Sequence, residues 1–341
     1  MKPIVQPVIN GIAVTLLVGL VLVANAVPLP GVDALAPRAQ ALVTIFLGIV
    51  IEALPFLLAG VLVSSAIHLF VSTETIQRLS PRSPWGAAAL GALLGLAFPV
   101  CECGSIPTAR RLLDRGAPAA LGIAFVLAAP VVNPIVIVST WVAFSGDPLI
   151  VGGRIVLTII IAMLIGVVVG RAGSACRSPA ASAALHHDHH HDHDHAHDRA
   201  AGWGTRIRAV LDHSADEVFE MGRYLIIGAM IAATLQVAIP RAALLAIGGD
   251  AFGGTFALMV LAMVLSICST VDAFVALSFV GTFSSGAILA FLVFGPMIDI
   301  KALLMLTTTF NRATVARMAV GAALLSAAAG IAISLLTGGP A

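Results

Sequence analysis

Charge is what this chain has least of. Only 10% of its 341 residues are Asp, Glu, Lys or Arg, where a soluble domain carries roughly a quarter. Hydrophobic residues make up 59%, and the mean hydropathy is +1.05. That balance excludes a water-soluble fold and identifies an integral membrane protein. Tyrosine and lysine are scarce, the net charge is +1, and the arginines sit in short segments between apolar runs. No basic face is left to bind nucleic acid. The four cysteines, Cys101, Cys103, Cys176 and Cys268, are too few and too scattered for a secreted disulfide framework. There is no Gly-x-x-x-x-Gly-Lys-Ser/Thr sequence to cradle a phosphate, so direct ATP drive is not expected. Cys-x-x-Cys redox spacing and recognisable haem or quinone motifs are also missing, which argues against a membrane thiol oxidoreductase.

What is present is a series of apolar segments. They run over Ala41–Val71, Trp85–Val100, Ala117–Phe144, Leu149–Gly170, Ser214–Ile239, Gly254–Ile267, Ser285–Thr309 and Thr314–Leu336. An α-helix rises about 1.5 Å per residue and needs about 20 residues to cross a bilayer. Most of the segments are long enough; Trp85–Val100 and Gly254–Ile267 are not. Upstream, Lys2, the apolar run Ile12–Val23 and Ala24-Asn25-Ala26 read either as a first transmembrane helix or as a cleavable signal peptide. An uncleaved helix within residues 1–30 is the preferred expectation. Either outcome leaves Gly31 outside.

Each short segment runs straight into polar residues. The first meets Cys101-Glu102-Cys103-Gly104-Ser105, the second Ser266-Ile267-Cys268-Ser269-Thr270. Each reads as half of a re-entrant hairpin. Non-helical backbone at membrane depth needs protein or a watery cavity to satisfy it, so both breaks are expected to face an interior site. The return limb of the first hairpin soon carries Arg110, Arg111, Asp114 and Arg115, which must reach an interface. Cys103 is thereby placed about 10 Å from it.

Arg78 and Arg82, then Arg110, Arg111 and Arg115, then Arg171, Arg177, Arg199, Arg206 and Arg208 mark cytoplasmic segments. The turn Ser145-Gly146-Asp147-Pro148 and the region around Asp250 read as external. The hairpins then enter from opposite sides, as inverted repeats require. Internal similarity agrees: Glu52 and Gly60 match Glu220 and Gly228, Cys101 matches Cys268, and Pro130 and Asn133 match Pro296 and Asp299, all 166–168 residues apart. The expected fold is an all-α polytopic membrane protein of two inverted-topology repeats, each with a re-entrant or broken helical hairpin. The repeats cover residues 41–171 and 214–336, and residues 172–213 form a cytoplasmic His-rich linker.

The polar residues inside apolar spans then converge. Asn133, between Pro130 and Pro134, and Asp299, after Pro296, occupy equivalent helix breaks. An Asp at the bilayer middle is by default a substrate or proton site, unless Asp299 simply pairs with Lys301 or Arg312 near the cytoplasmic interface. Glu52 lies well inside its helix, while Glu220 is expected to pair with Arg223 on the same helix face. Ser105 and Ser269 are positioned to cap the return limbs, which would aim positive helix ends at Cys103 and Cys268 and favour the thiolates that ligate soft metals and metalloids. Cys101, Cys103 and Cys268 could supply up to three sulfurs to one centre, flanked by Glu102 and Asp272.

These residues resemble the predicted-permease family that includes the organoarsenical efflux permeases, the YraQ-like or ArsP-like permeases. The likeness rests on Phe98-Pro99-Val100-Cys101-Glu102-Cys103-Gly104-Ser105-Ile106-Pro107, Ala109-Arg110-Arg111 with Gly116, Ala128-Ala129-Pro130-Val131-Val132-Asn133-Pro134, Cys268-Ser269-Thr270-Val271-Asp272-Ala273-Phe274, and Gly295-Pro296-Met297-Ile298-Asp299. It extends from about Thr44 to Ser334. It implies a polytopic inner-membrane permease, with efflux of trivalent organoarsenicals in some members and of copper or zinc in others.

One tract departs from that pattern. His186, His187, His189, His190, His191, His193, His195 and His197, interleaved with Asp, offer a flexible, low-specificity site for transient Zn, Ni or Cu. A passive low-complexity linker is the plainer reading. No tightly bound cofactor and no catalytic residue are expected. The favoured function is efflux of a thiophilic metalloid or soft metal. The alternatives are Zn or Ni transport through the His tract, Asp299 and Glu52, a thiol oxidoreductase, and a non-transporting partner subunit. Expected partners are membrane lipid, a small inorganic or organometalloid substrate, and an accessory membrane or periplasmic protein.

Overall fold

The computed structural model describes residues 36–70, 73–98, 100–171, 203–238 and 251–337. The N-terminal segment, Cys176, the His tract and Asp250 lie outside the described residues. Within them the protein is helical, with no β-strand. The helices are α1 (Ala36–Phe70), α2 (Thr73–Leu79), α3 (Pro84–Ala97), α4 (Glu102–Asp114), α5 (Ala119–Val132), α6 (Pro134–Ala143) and α7 (Pro148–Gly170). They continue with α8 (Trp203–Ala238), α9 (Ala251–Leu265), α10 (Asp272–Leu277), α11 (Ser285–Met297), α12 (Ile300–Thr309) and α13 (Arg312–Thr337).

Five stretches among the described residues are long and apolar enough to cross a membrane: Pro37–Ser65, Ala119–Ala143, Pro148–Gly170, Ser214–Ala238 and Arg312–Thr337. The pair α11 and α12, bent by 40° at its break, makes a sixth if taken as one span. The chain is therefore a multi-pass, all-α membrane protein. Its helix starts follow local chemistry. Ser83 Oγ accepts from Gly86 N–H with Pro84 in the first turn, and Asp147 accepts from Leu149 N–H with Pro148 in the first turn. Proline suits that position because its missing N–H would have no helical partner there. The α6–α7 turn closes through Ser145 and Gly146, both at positive φ.

Packing fixes the helix directions. Along α3 and α5, Gly91 lies against Leu121 and Gly95 against Ala129, so the two helices run parallel. Only α4 separates them in sequence. It must therefore carry the chain back to the end from which α3 started, which makes α3–α4 a re-entrant hairpin. In the second half Gly295 meets Ala262, while Gly330 touches both Ala290 and Thr255. Helices α9 and α11 are thus also parallel, and α10 belongs to the return limb of a second hairpin.

Helix α7 runs antiparallel to α5, since Gly166 and Gly170 both abut the Ala120 region. Gly153, near the start of α7, faces Leu289, near the start of α11. Helix α11 consequently begins at the end opposite the start of α5, and the two hairpins enter the bundle from opposite ends. Helices α1 and α8 pack on each other and against α4 and α12. The α1–α4 crossing is backbone on backbone: Gly60 and Gly104 approach so closely that a Cβ on Gly104 would lie 2.9 Å from Gly60 Cα.

The polar break expected across Cys101–Ser105 is shifted. Phe98 is extended (φ −105°, ψ 112°), as is Cys101 (φ −81°, ψ −176°), and α4 is helical from Glu102 through Gly104 and Pro107. Ser105 accordingly does not cap: its hydroxyl lies inside the helix and donates to the Glu102 carbonyl at 3.2 Å. Nor does Ser269, because α10 starts after Val271 and has no side-chain cap. In both hairpins the chain resumes helical geometry at a point set by the backbone turn, not by the nearest hydroxyl.

Candidate functional site

The helices break at four places, after Phe98, at Asn133, after Leu265 and at Ile298–Asp299, and side-chain contacts link them in two groups: Asn133 to Val100, and Lys301 to Ser266, Asp299 and Glu102. A break leaves carbonyls without their helical donors, and each must be satisfied in a region without water. Asn133 Nδ2 donates to the Val100 carbonyl at 3.4 Å in the first half. In the second half Gln236 Nε2 reaches the Leu265 carbonyl at 3.0 Å and Lys301 Nζ the Ser266 carbonyl at 2.6 Å. Ser266 sits at φ +46°, a left-handed conformation that non-glycine residues rarely adopt. The second break is thus held in a strained backbone geometry by a cation.

Asn133 and Asp299 play the same local part. Asn133 Oδ1 accepts from Val136 N–H at 3.0 Å and caps α6, and Asp299 Oδ1 accepts from Ala302 N–H at 2.6 Å and caps α12. Both are buried.

Asp299 does more than cap. Lys301 Nζ lies 2.8 Å from Asp299 Oδ2, 2.9 Å from Glu102 Oε1 and 2.6 Å from the Ser266 carbonyl. Three acceptors match the three donors of an ammonium. The expected alternative pairing of Asp299 with Lys301 is present, and Lys301 is buried, only 2% exposed, bridging α12, α4 and the second hairpin break. A buried charge persists here because the protein supplies its partners. Asp299 pairs with Lys301 there, and Arg312 heads the next helix without joining the cluster.

The thiols border this ion cluster. Cys101, Cys103 and Cys268 are free and buried. Cys101, Lys301 and Glu102 lie close enough to Cys103 to act on it electrostatically. Cys268 takes a contact from Thr270 Oγ1 at 3.5 Å and lies near Glu52 and Glu102. Glu52, only partly buried on α1, faces Lys301, Glu102 and Cys268. Among the described residues, however, no three His, Cys, Asp or Glu side chains are arranged to hold a metal ion. The three-sulfur centre is not preformed. The Lys301 ammonium stands where converging carboxylates would otherwise receive a cation. Of the six buried side-chain polar atoms without a partner among the described residues, two belong to the hairpin segments that carry the thiols, Glu102 Oε2 and Ser269 Oγ.

Asp272 belongs to a separate arrangement. Both its oxygens bind Arg154, at 3.0 and 2.6 Å, and Arg154 also donates to Thr140 Oγ1 at 2.8 Å. Both partners are nearly inaccessible. This bidentate pair pins α10 to α7 and α6. Nearer the other end, Arg110 pairs with Glu220 at 3.0 Å and Arg111 with Glu217 at 3.4 Å, joining α4 to α8. Glu220 is thus bound across helices, not to Arg223, whose guanidinium instead lies over the Tyr224 ring. Ser64 reaches Glu217 and the Pro107 carbonyl, and Ser65 meets Ser214. Cavities of about 590 and 130 Å³ lie by Glu74–Arg82 and by Arg82–Ala87 with Pro118–Ala120, away from the cysteines.

Comparison with known proteins places this architecture. A family described as "Predicted permease" matches residues 38–335. The chain is 43% identical over 269 residues to UPF0718 protein YcgR of Bacillus subtilis (strain 168), covering 79% of this chain and 88% of that protein. It is 34% identical over 267 residues to a "Putative two-component membrane permease complex subunit" of Streptococcus mutans serotype c, covering 78% and 86%. No solved structure matches. The chain belongs to the predicted-permease family.

Of the residues singled out from the permease sequence, Cys101, Glu102, Cys103, Cys268, Glu52 and Asp299 fall in or beside the ion cluster, and Asn133 adjoins it at Val100. Asp272 is held apart by Arg154. The sequence reading missed Lys301 and Arg154 as interior groups. Arg154 stands six residues after Pro148 in a 23-residue apolar helix, and a cation so placed is itself a signal of an interior partner.

Proposed function

We propose that the protein is an inner-membrane permease that exports a thiophilic metalloid or soft metal species, of the trivalent organoarsenical or Cu kind, by way of the cluster between the hairpin breaks. The observation that carries this reading is the gathering of the buried Cys101, Cys103 and Cys268, from two hairpins whose cysteines Cys101 and Cys268 are 167 residues apart in sequence, around Glu102 and Lys301. Soft sulfur donors beside helix breaks suit transient ligation of a thiophile. The opposed hairpins, the parallel α3/α5 and α9/α11 pairs and the matching Asn133 and Asp299 caps support two inverted repeats, residues 41–171 and 214–336. In such an arrangement the site opens to one side at a time.

In this reading the Arg110–Glu220 and Arg111–Glu217 layer faces the cytoplasm, Arg154–Asp272 faces outward, and the His186–His197 tract captures metal beside the cytoplasmic mouth. The relative named as a subunit of a two-component permease complex favours a second reading, in which this chain needs a membrane partner to transport. The test is uptake into inside-out vesicles of methylarsenite, arsenite, Cu(I), Zn(II) and Ni(II), with and without a pH gradient. Uptake of methylarsenite or Cu(I) alone supports the thiol site. Uptake confined to Zn(II) and Ni(II) overturns it, and uptake of none, restored by a co-expressed partner, establishes the subunit reading.

A further inference from the structure

The cluster contains a feature that a simple metal site lacks, a resident cation. Lys301 uses its donors on Asp299, Glu102 and the Ser266 carbonyl, drawn from three different elements. The groups facing it are Glu52 from α1, Glu102 and Cys103 from α4, and Asp299 from its own helix, while α8 meets its backbone through Gly228. Asp299 is further engaged in capping α12. The carboxylates that would hold a hard cation are therefore already neutralised from within.

We propose that Lys301 is a specificity-determining residue: a tethered counter-cation that closes the carboxylates to divalent metal ions and leaves the thiols to neutral, thiol-reactive species. This rests on the thiol-site reading and narrows it. A neutral dihydroxy-arsenical brings no charge. Two thiols each form an S–As bond, two As–O bonds break, and each departing hydroxyl leaves as water with a thiol proton. Glu102 Oε2 and Ser269 Oγ, buried and without partners, stand ready to hydrogen-bond such a guest. They occupy corresponding positions in the two hairpins, 167 residues apart. A divalent ion would instead meet the ammonium at close range in a low-dielectric interior, where like charge strongly opposes binding.

The test uses the full chain in lipid nanodiscs, as wild type, Lys301→Gln and Lys301→Arg, with phenylarsine oxide as the neutral thiophile and Cd²⁺ as the thiophilic divalent cation. Comparing variants cancels Cd²⁺ held by the His tract. In the wild type, phenylarsine oxide blocks Cys103 and Cys268, scored by mass spectrometry of residual thiols, and saturating Cd²⁺ does not prevent it. Lys301→Gln gains one Cd²⁺ per chain, bound about a hundredfold or more tighter than any interior Cd²⁺ in the wild type, and Cd²⁺ now protects the thiols. Lys301→Arg, which keeps the charge, behaves as wild type.

Protection by Cd²⁺ in the wild type, or no gain in Lys301→Gln, overturns the proposal. Should Lys301→Gln fail to insert, the wild-type competition alone decides. If phenylarsine oxide leaves the wild-type thiols untouched, the thiol-site reading fails. The Cd²⁺ gain in Lys301→Gln then still decides whether Lys301 excludes cations from Glu102 and Asp299.

Discussion

The two re-entrant hairpins solve one backbone problem with different chemistry. In the first, the broken segment is satisfied by a neutral amide, Asn133, at 3.4 Å, and the return limb α4 runs for 13 residues with Cys101 and Cys103 at its start. In the second, an ammonium satisfies Ser266 at 2.6 Å and a guanidinium clamps Asp272, while α10 is only six residues long. The first hairpin is joined to the ion cluster by Glu102–Lys301, and its return limb is tied to α8 by the part-exposed Arg110–Glu220 and Arg111–Glu217 pairs. The second is held by the nearly inaccessible Arg154–Asp272 pair and by Lys301 on Ser266. Each break carries buried thiols, Cys101 with Cys103 just beyond it in the first and Cys268 in the second, and they differ in what satisfies the backbone around them.

The comparison breaks most visibly at the second hairpin. Asp272→Ala leaves the Arg154 guanidinium buried without its partner, which costs about 3–5 kcal/mol in comparable sites. Thermal unfolding in detergent should register it as a large loss. Arg154→Met combined with Asp272→Leu should recover most of the loss, because a buried pair replaced by apolar groups is often near neutral. Failure of the double variant to recover would mean that Arg154 has a task beyond the pair.

An intermediate effect belongs to the first hairpin. Asn133→Ala removes both the α6 cap and the donor to Val100, and the expected destabilisation is about 1–3 kcal/mol. Asn133→Asp keeps the cap and should give back the cap's share only. The smallest effect falls on the layer outside the site. Arg110→Ala breaks an ion pair that is still partly solvated, so a change within about 1 kcal/mol is expected, with any larger consequence appearing in transport rate.

Much of this frame was legible in the sequence, and the failures share one physical cause. Segment length alone marked α3 and α9 as too short to span, and the proline-flanked Asn133 and Asp299 marked the broken helices. What was hidden was the environment of the cations. Residues that seek water by themselves are assigned to interfaces, and Lys301 and Arg154 defy that rule because carboxylates from distant segments meet them inside. Such meetings are invisible along a single chain until Glu102 and Asp272 are brought next to α12 and α7. The helix starts were misplaced for a similar reason: Ser105 and Ser269 have the right side chains for capping, but the tertiary turn resumes the helix elsewhere.

The central claim is that the hairpin thiols form the transport site, and flux through cysteine variants tests it most directly. Methylarsenite uptake should be measured in inside-out vesicles bearing wild-type protein, Cys103→Ser, Cys268→Ser or Cys176→Ser at matched membrane levels. The account predicts that the Cys103 and Cys268 variants lose uptake while the Cys176 variant keeps it. Equal uptake by all four would contradict it and move the site to Glu52, Asn133 and Asp299.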